Sequence, residues 1–136
     1  MRRPSRLACE MRAMIPATLA AVEQFLRAVR HEAFDTLPRA DGFAAELLVR
    51  EALTNAVVHG CHSDPRKHIL CVLRRRGRRL TIAVHDEGEG FDWRAARQRR
   101  RGVLASAGRG IQILRQYAVR VRYNEKGNAV TIIKQC

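Results

Sequence analysis

The sequence predicts an α+β fold, in which one mixed, mostly antiparallel sheet is covered on one face by helices. Apolar residues recur at helical spacing in residues 15–30 and 42–58, whereas residues 68–74 and 79–86 form a pair of strand-like runs around a short hairpin tip. Neither a repeat nor an interdomain linker divides the 136 residues, so we expect a single domain over residues 1–136.

The first half of the chain is predicted to contain one strand and two helices. The stretch "RLACEM" suits a short strand, and residues 16–30 suit a helix. The Pro- and Gly-containing segment "DTLPRADG" is expected to be a loop. A second helix is predicted from about Gly42 to Val58.

The second half is predicted to supply most of the sheet. After a turn at "SDPRK", the strands "HILCVLR" and "RLTIAVHD" are joined at residues 75–78. An arginine-rich segment with at most one short helix lies between Gly90 and Gly108. A third helix, "GIQILRQYA", leads to the strand "VRVRYN", a turn at "NEKGN" and a last strand, "AVTIIK".

The charge of the chain is unusual. It has 26 Lys and Arg residues against 13 Asp and Glu residues, a formal net charge of +13. Such an excess allows nucleic acid, an acidic protein surface or nucleotide phosphates as partners. With Trp 1, Tyr 2 and Phe 4 in the whole sequence, there are few aromatic side chains on which bases could stack, so nucleic-acid binding is the least favoured of these.

The cysteine pattern and the N-terminal residues indicate the cellular compartment in which the protein is expected. No C-x-x-C pair occurs among the four cysteines, which we interpret as reduced thiols of a cytoplasmic protein. Basic "MRRPSR" before an apolar run is similar to a secretory signal, but Glu10 and Arg12 interrupt it and the run has helical periodicity. No run approaches the roughly 20 apolar residues of a membrane span, so no membrane association is expected.

The stretch "LLVREALTNAVVHG", residues 47–60, combines an apolar stripe with a polar pair. Glu51 and Asn55 lie one helical turn apart on a different face from the stripe. An isolated pair of this kind is most simply a solvated polar face. The predicted stripe consists of Ala45, Val49, Ala52, Leu53, Ala56 and Val57.

Two glycine-containing segments follow that helix in the sequence. In "LTIAVHDEGEGF", Asp86 falls on the same strand face as three apolar residues, and Gly88 and Gly90 come directly after it. A carboxylate at the edge of a core requires a hydrogen-bond donor. In "AGRGIQIL", Gly108 and Gly110 open a helix, where backbone N–H groups can cradle a phosphate.

Together these segments resemble the GHKL superfamily of ATP-binding proteins and, within it, the bacterial anti-sigma-factor serine/threonine kinases. "EALTNAVVHG" is similar to the N-box, "DEGEGF" to the first glycine box and "GRGIQIL" to the second. The resemblance covers about residues 5–134. It implies a Bergerat-type two-layer sandwich, with ATP held between the helices and an ATP lid at about residues 91–107. No Walker A sequence is present.

The resemblance also implies roles for the polar residues. Asn55 would hold the Mg²⁺ ion that bridges the phosphates, since a neutral oxygen ligand suits a charged triphosphate. Asp86 would accept a hydrogen bond from the adenine amino group. Glu51, one turn before Asn55, would accept the proton of an attacking hydroxyl group.

The glycine boxes receive roles in the same way. Gly88 and Gly90 would let the chain pass close to the base, and Gly108 and Gly110 would present backbone donors to the phosphates. Arg109 would either reach the γ-phosphate or lie on the surface.

The implied function is that of an ATP-dependent serine/threonine kinase. In the resembled family the substrate is an anti-anti-sigma protein of the STAS type, and the kinase alternately sequesters a sigma factor, often as a homodimer. The alternative is an ATP-binding module that sequesters a protein with little or no turnover. Glu51 favours the kinase, because a pure binder does not require a base.

Two features depart from a simple family member, and a third segment suggests a different metal. The arginines at 97, 99, 100 and 101 either clamp phosphate, dock an acidic partner or are solvated. Family members commonly have a threonine near the start of the last strand that supports the adenine carboxylate, whereas the stretch here is "GNAVT". The segment "HGCHSDPRKH" suggests zinc, although the spacing of His59, Cys61, His62 and His68 matches no common structural zinc pattern, which makes zinc the less favoured interpretation.

Overall fold

The computed structural model describes residues 8–88 and 117–136. These residues form two helices, one π-helical turn and five strands. In chain order they are β1 (Ala8–Pro16), α1 (Leu19–Ala33), α2 (Arg39–Asn55), the π-turn (Ala56–Gly60), β2 (His68–Arg76), β3 (Arg79–Asp86), β4 (Arg120–Tyr123) and β5 (Ala129–Gln135).

The five strands form one open sheet in the order β1-β2-β3-β5-β4, and each pairing is antiparallel. A two-residue connection at Gly77 and Arg78 joins β2 to β3, and Gly77 adopts a positive φ of 58°. That conformation strains side-chained residues, which explains the glycine at this tight turn. Strand β3 is central, so the residue at its end, Asp86, lies inside the sheet rather than at an edge strand.

Both helices pack on the same face of the sheet, as predicted. The inward residues of β2, β3 and β5 are buried, and the apolar stripe of α2 is buried against them as one cluster. The stripe predicted from the sequence is confirmed at all six positions, which are Ala45, Val49, Ala52, Leu53, Ala56 and Val57. In the described part of the chain, the fold is therefore an α+β sandwich of one helical layer and one antiparallel sheet.

The first helix is displaced by three residues from its predicted position. It spans Leu19–Ala33 instead of 16–30, because β1 continues to Pro16, which pairs with His68. Thr18 then caps the helix, its Oγ1 accepting a hydrogen bond of 3.0 Å from the backbone N–H of Ala21. The predicted helix started too early because the apolar residues at the end of the strand continue directly into the apolar residues of the helix.

The predicted loop "DTLPRADG" is shorter than expected, since α2 already begins at Arg39. Gly42 lies within the helix and donates its N–H to the Pro38 carbonyl at 2.8 Å. A Cβ atom at position 42 would lie 2.6 Å from the carbonyl oxygen of Phe34. This glycine therefore permits close helix–helix approach, and α2 begins three residues before the predicted start at about Gly42.

The remaining elements of the described chain follow the predicted order. The strands β2, β3, β4 and β5 agree with the prediction to within one or two residues. Most of the predicted third helix, and the whole arginine-rich segment, lie outside the described residues. All four cysteines are free thiols. Among the described helices, none is both long and apolar enough to cross a bilayer.

Candidate functional site

The polar pair of α2 divides between the interior and the surface. Asn55, the last residue of α2, is buried with 7% of its surface exposed, whereas Glu51 is only partly buried. The neighbouring Ala52 and Leu53 belong to the core, which fixes the rotation of the helix. Asn55 is therefore not part of a solvated polar face.

The chain leaves α2 through a π-helical turn, Ala56–Gly60. The turn is closed by a hydrogen bond of 2.8 Å from the Cys61 N–H to the Ala56 carbonyl. Single π-turns are rare and often occur at functional sites, because they redirect the backbone at the end of a helix. Here the turn carries Gly60 against the end of β3.

Asp86 ends β3 on the core side, as its alternation with Leu80, Ile82 and Val84 predicted. Its side chain is buried, with 6% of the residue exposed. The Gly88 N–H donates to Asp86 Oδ1 at 2.7 Å. Burial raises the pKa of the Asp86 carboxyl group, and the bond from Gly88 opposes this rise by favouring the charged form.

Two glycines enclose the Asp86 carboxyl group. A Cβ atom at position 60 would collide with both carboxyl oxygens of Asp86, and a Cβ at position 88 would collide with the carbonyl oxygen of Gly60. Only residues without a side chain permit this arrangement. The resemblance implied that Gly88 lets the chain pass close to the nucleotide base, whereas its close neighbours in the described chain are Gly60 and Asp86. Gly60 was assigned to the N-box but not to the site, and its position in "NAVVHG" was the only available signal.

Asn55 and Asp86 line the same concavity, which lies between the end of α2 and the ends of β3, β4 and β5. Its walls combine apolar side chains with a small number of polar groups, a composition typical of ligand sites. The lining residues are Ala52, Asn55, Ala56, Val84, Asp86, Tyr123, Gly127, Asn128, Ala129 and Val130.

The Asn55 amide has unused hydrogen-bonding capacity in this concavity. Its Nδ2 atom is buried and has no hydrogen-bond partner among the described residues. Unpaired buried polar atoms are costly, by about 1–3 kcal/mol each, and therefore uncommon. An amide nitrogen without a described protein partner, on a residue that lines a concavity, fits a site where a ligand completes the bonding. The amide oxygen of the same side chain is the type of ligand that would suit Mg²⁺.

Glu51 does not line the concavity but lies one helical turn from Asn55. Desolvation by partial burial raises the pKa of its carboxyl group, and the charge of Arg50 acts in the opposite direction. Arg50 is itself engaged by Glu23, with 2.8 Å between Arg50 Nε and Glu23 Oε1. A carboxylate with a raised pKa is a better proton acceptor than an ordinary one, which suits a general base.

The remaining predicted site residues belong to the glycine- and arginine-rich segments that follow β3 in the sequence. Gly90, Gly108, Arg109, Gly110 and the arginines of the predicted lid lie outside the described residues. The structure thus brings together Asn55, Asp86 and Gly88, with Glu51 nearby.

The threonine that family members commonly have near the start of the last strand has no counterpart that supports Asp86 among the described residues, in keeping with the stretch "GNAVT". Thr131 of β5 is exposed and pairs in register with Ala83, on the sheet face opposite Val130. Instead, the Asp86 N–H donates to the carbonyl of Asn128 at 2.9 Å. The sequence "NEKGN" predicts only a turn and carries no signal that Asn128 belongs to the site.

The histidine and cysteine residues of "HGCHSDPRKH" are dispersed. Cys61 is fully buried. His68 faces Glu87 instead, with 3.6 Å between His68 Nδ1 and Glu87 Oε1. Within residues 8–88 and 117–136, no three His, Cys, Asp or Glu side chains are grouped so that they could hold a metal ion.

Two comparisons with known proteins bear on this site. The family model of the histidine kinase-like ATPase domain matches residues 15–134, a range that contains Glu51, Asn55 and Asp86. The anti-sigma F factor of Shouchella clausii (strain KSM-K16) is 30% identical over 95 residues. That match covers 65% of this chain and 65% of the relative, slightly less than two thirds of its length.

Proposed function

Because the chain belongs to the histidine kinase-like ATPase family, we propose that it is an ATP-dependent serine/threonine protein kinase with an anti-sigma role. It phosphorylates an anti-anti-sigma protein of the STAS type and sequesters a sigma factor in the cytoplasm. The anti-sigma F factor with which it shares 30% identity supports this class of partner. The observation that carries the proposal is the shared concavity of Asn55 and Asp86.

Recognition of the base is assigned to Asp86. A buried carboxylate that already accepts one backbone N–H, from Gly88 at 2.7 Å, is held in a fixed orientation. It would accept a second hydrogen bond from the exocyclic amino group of adenine. Guanine carries a carbonyl oxygen at the equivalent position, so the same carboxylate would repel it. Asp86 thereby selects ATP over GTP.

Metal binding and proton transfer are assigned to the two polar residues of α2. Asn55 would hold Mg²⁺ through its amide oxygen, and bound Mg-ATP supplies the γ-phosphoryl group for transfer. Glu51 would take the proton from the serine or threonine hydroxyl group of the partner. One rigid helix holds the metal ligand Asn55 and the general base Glu51 four residues apart, so the distance between them does not change when the partner docks.

Transfer of label from γ-labelled ATP tests this function. The purified chain is incubated with Mg²⁺, labelled ATP and STAS-type proteins from the same genome, and we expect label on a partner serine or threonine. A partner variant with alanine at the labelled position is the matched control. Tight ATP binding without transfer would instead support the alternative, an ATP-binding module that acts by sequestration. Absence of ATP binding would refute both.

A further inference from the structure

The turn between β4 and β5 forms one wall of the concavity beside Asp86. Gly127, Asn128 and Ala129 line it together with Asp86 and Asn55. Asn128 is buried, with 9% of its surface exposed, although it lies in a turn. Turn residues are ordinarily solvent-exposed, so burial of a polar side chain at this point calls for a network of partners.

One side chain organises the turn. Asn124 Oδ1 accepts the backbone N–H groups of Gly127, Asn128 and Ala129 at 2.8, 3.0 and 3.2 Å. Gly127 adopts a positive φ of 78°, which glycine tolerates without strain. Asn124 Nδ2 in turn donates to Asn128 Oδ1 at 2.6 Å. The orientation of the Asn128 side chain therefore depends on Asn124.

The turn is fastened to the end of β3 at two consecutive residues. The Asn128 carbonyl accepts the Asp86 N–H at 2.9 Å, and Asn128 Nδ2 lies 3.4 Å from His85 Nε2. Backbone and side chain of one residue thus hold both His85 and Asp86. A displacement of Asn128 would move the backbone from which the Asp86 carboxylate projects.

We propose that Asn128 is a positioning residue for Asp86, and that Asn124 sets its conformation, so that the pair determines selectivity for the nucleotide base. The inference rests on the proposed function, because it assumes that Asp86 reads adenine. Hydrogen bonds depend steeply on distance and angle, so a displaced carboxylate loses the bond to the amino group while contacts to phosphates remain. The ratio of ATP to GTP affinity is therefore the sensitive quantity.

Asn128→Ala is the principal test, with dissociation constants for ATP and GTP measured by calorimetry on the full chain. We expect ATP affinity to fall about tenfold, the equivalent of about 1.4 kcal/mol, with GTP affinity little changed. Glu125→Ala is the matched control, since Glu125 is exposed in the same turn and its side chain forms no described hydrogen bond or ion pair. It should leave both constants unchanged.

Asn124→Asp separates positioning from folding. The carboxylate retains an acceptor for the three backbone N–H groups but lacks the donor to Asn128 Oδ1, so the turn should form while the Asn128 amide must reverse its orientation and give up the Nδ2 contact with His85. We expect about a threefold reduction in the ATP to GTP ratio, with thermal unfolding close to that of the parent. If Asn128→Ala does not fold, this variant decides the question.

The outcomes distinguish the inference from the proposed function. A parent protein that does not prefer ATP, or an Asp86→Ala variant with unchanged ATP affinity, would refute base recognition by Asp86. If the parent prefers ATP and Asp86→Ala abolishes the preference, an unaltered ratio in Asn124→Asp and in any folded Asn128→Ala protein would refute the positioning role alone. Equal losses for ATP and GTP would indicate a purely structural turn.

Discussion

Gly60 contacts the carboxyl group of Asp86 so closely that a Cβ atom at position 60 would lie 2.5 Å from Asp86 Cγ. The π-turn after α2 and the end of β3 therefore meet at a glycine and a buried carboxylate. A larger side chain at either position would displace the other residue. This contact joins the helix that carries Asn55 to the strand that carries Asp86.

Gly60→Ala is expected to displace the Asp86 carboxylate and to weaken ATP binding by tenfold or more. Overpacking of this kind typically destabilises a protein by about 1–3 kcal/mol, which urea unfolding would measure. Gly77→Ala is the control, because Gly77 has open space around it but a positive φ. That variant should lose some stability and retain ATP affinity. Unchanged ATP affinity in Gly60→Ala would show that the carboxylate is not held by this contact.

Asp86→Asn should stabilise the nucleotide-free protein at neutral pH while weakening ATP binding. Burial raises the pKa of the Asp86 carboxyl group above its unfolded value, 3.8, so the protonated form is favoured in the folded state. The protonated Asp86 carboxyl group contributes its full stabilisation below the pKa of the unfolded state. This contribution is lost as the pH rises through the pKa of the folded state. Asparagine remains uncharged throughout and keeps an oxygen for the Gly88 N–H.

The stability difference between Asp86→Asn and the parent should therefore grow from about pH 3 to neutral pH, as measured by urea unfolding at a series of pH values. Glu125→Gln removes an exposed carboxylate as a control and should show no such trend. A parent protein that is more stable than Asp86→Asn at pH 7 would contradict the assigned destabilising burial.

Glu51→Gln should separate catalysis from binding. The amide retains the size of the side chain, so Mg-ATP affinity should stay within a few-fold of the parent. Loss of a positioned base typically lowers the rate by about 10²–10⁴, and the loose transition state of phosphoryl transfer favours the lower end. Because desolvation raises the pKa of Glu51, the parental rate should rise with pH through that raised value, and the Gln variant should lack this rise.

The contrasting variant is Asn55→Ala, which should weaken Mg-ATP binding itself. Its Nδ2 has no partner in the described chain, so its removal relieves a desolvation cost of about 1–3 kcal/mol and should not lower the free energy of unfolding. Partner phosphorylation at the parental rate by Glu51→Gln would show that Glu51 is a structural residue, and would favour the sequestering module.

The cysteines provide a test of the core. Burial raises the pKa of the Cys71 thiol to about 12, whereas Cys9 is exposed. The thiolate is the reactive form, so iodoacetamide at pH 7.5 should label Cys9 quickly and Cys71 only on unfolding. Mass spectrometry after timed labelling, with urea-unfolded protein as the reference, would measure both rates. Equal labelling rates in the folded protein would contradict the position of β2 in the core.

The sequence by itself determined the elements whose signal is periodic. The alternation of β3 predicted that Asp86 would face the core, and the helical spacing of α2 predicted its buried stripe. Each of these patterns shows which side of one helix or strand faces the interior and which faces water. It can therefore be recognised from that segment alone. The motifs similarly indicated the nucleotide-binding family, which the match over residues 15–134 confirms.

The tertiary structure alone decided which residues surround Asp86. Glycines give no sequence signal of what lies opposite them, so the close contact of Gly42 with Phe34 was not predicted and Gly60 was not assigned to the site. Asn124 and Asn128 read as ordinary turn residues, because asparagine favours turns regardless of its neighbours. Their hydrogen bonds reach the end of β3 only because β5 pairs with β3. In that pairing Val84 lies opposite Val130, which is distant in the sequence. Contacts between distant segments are set by that pairing, which no local pattern encodes.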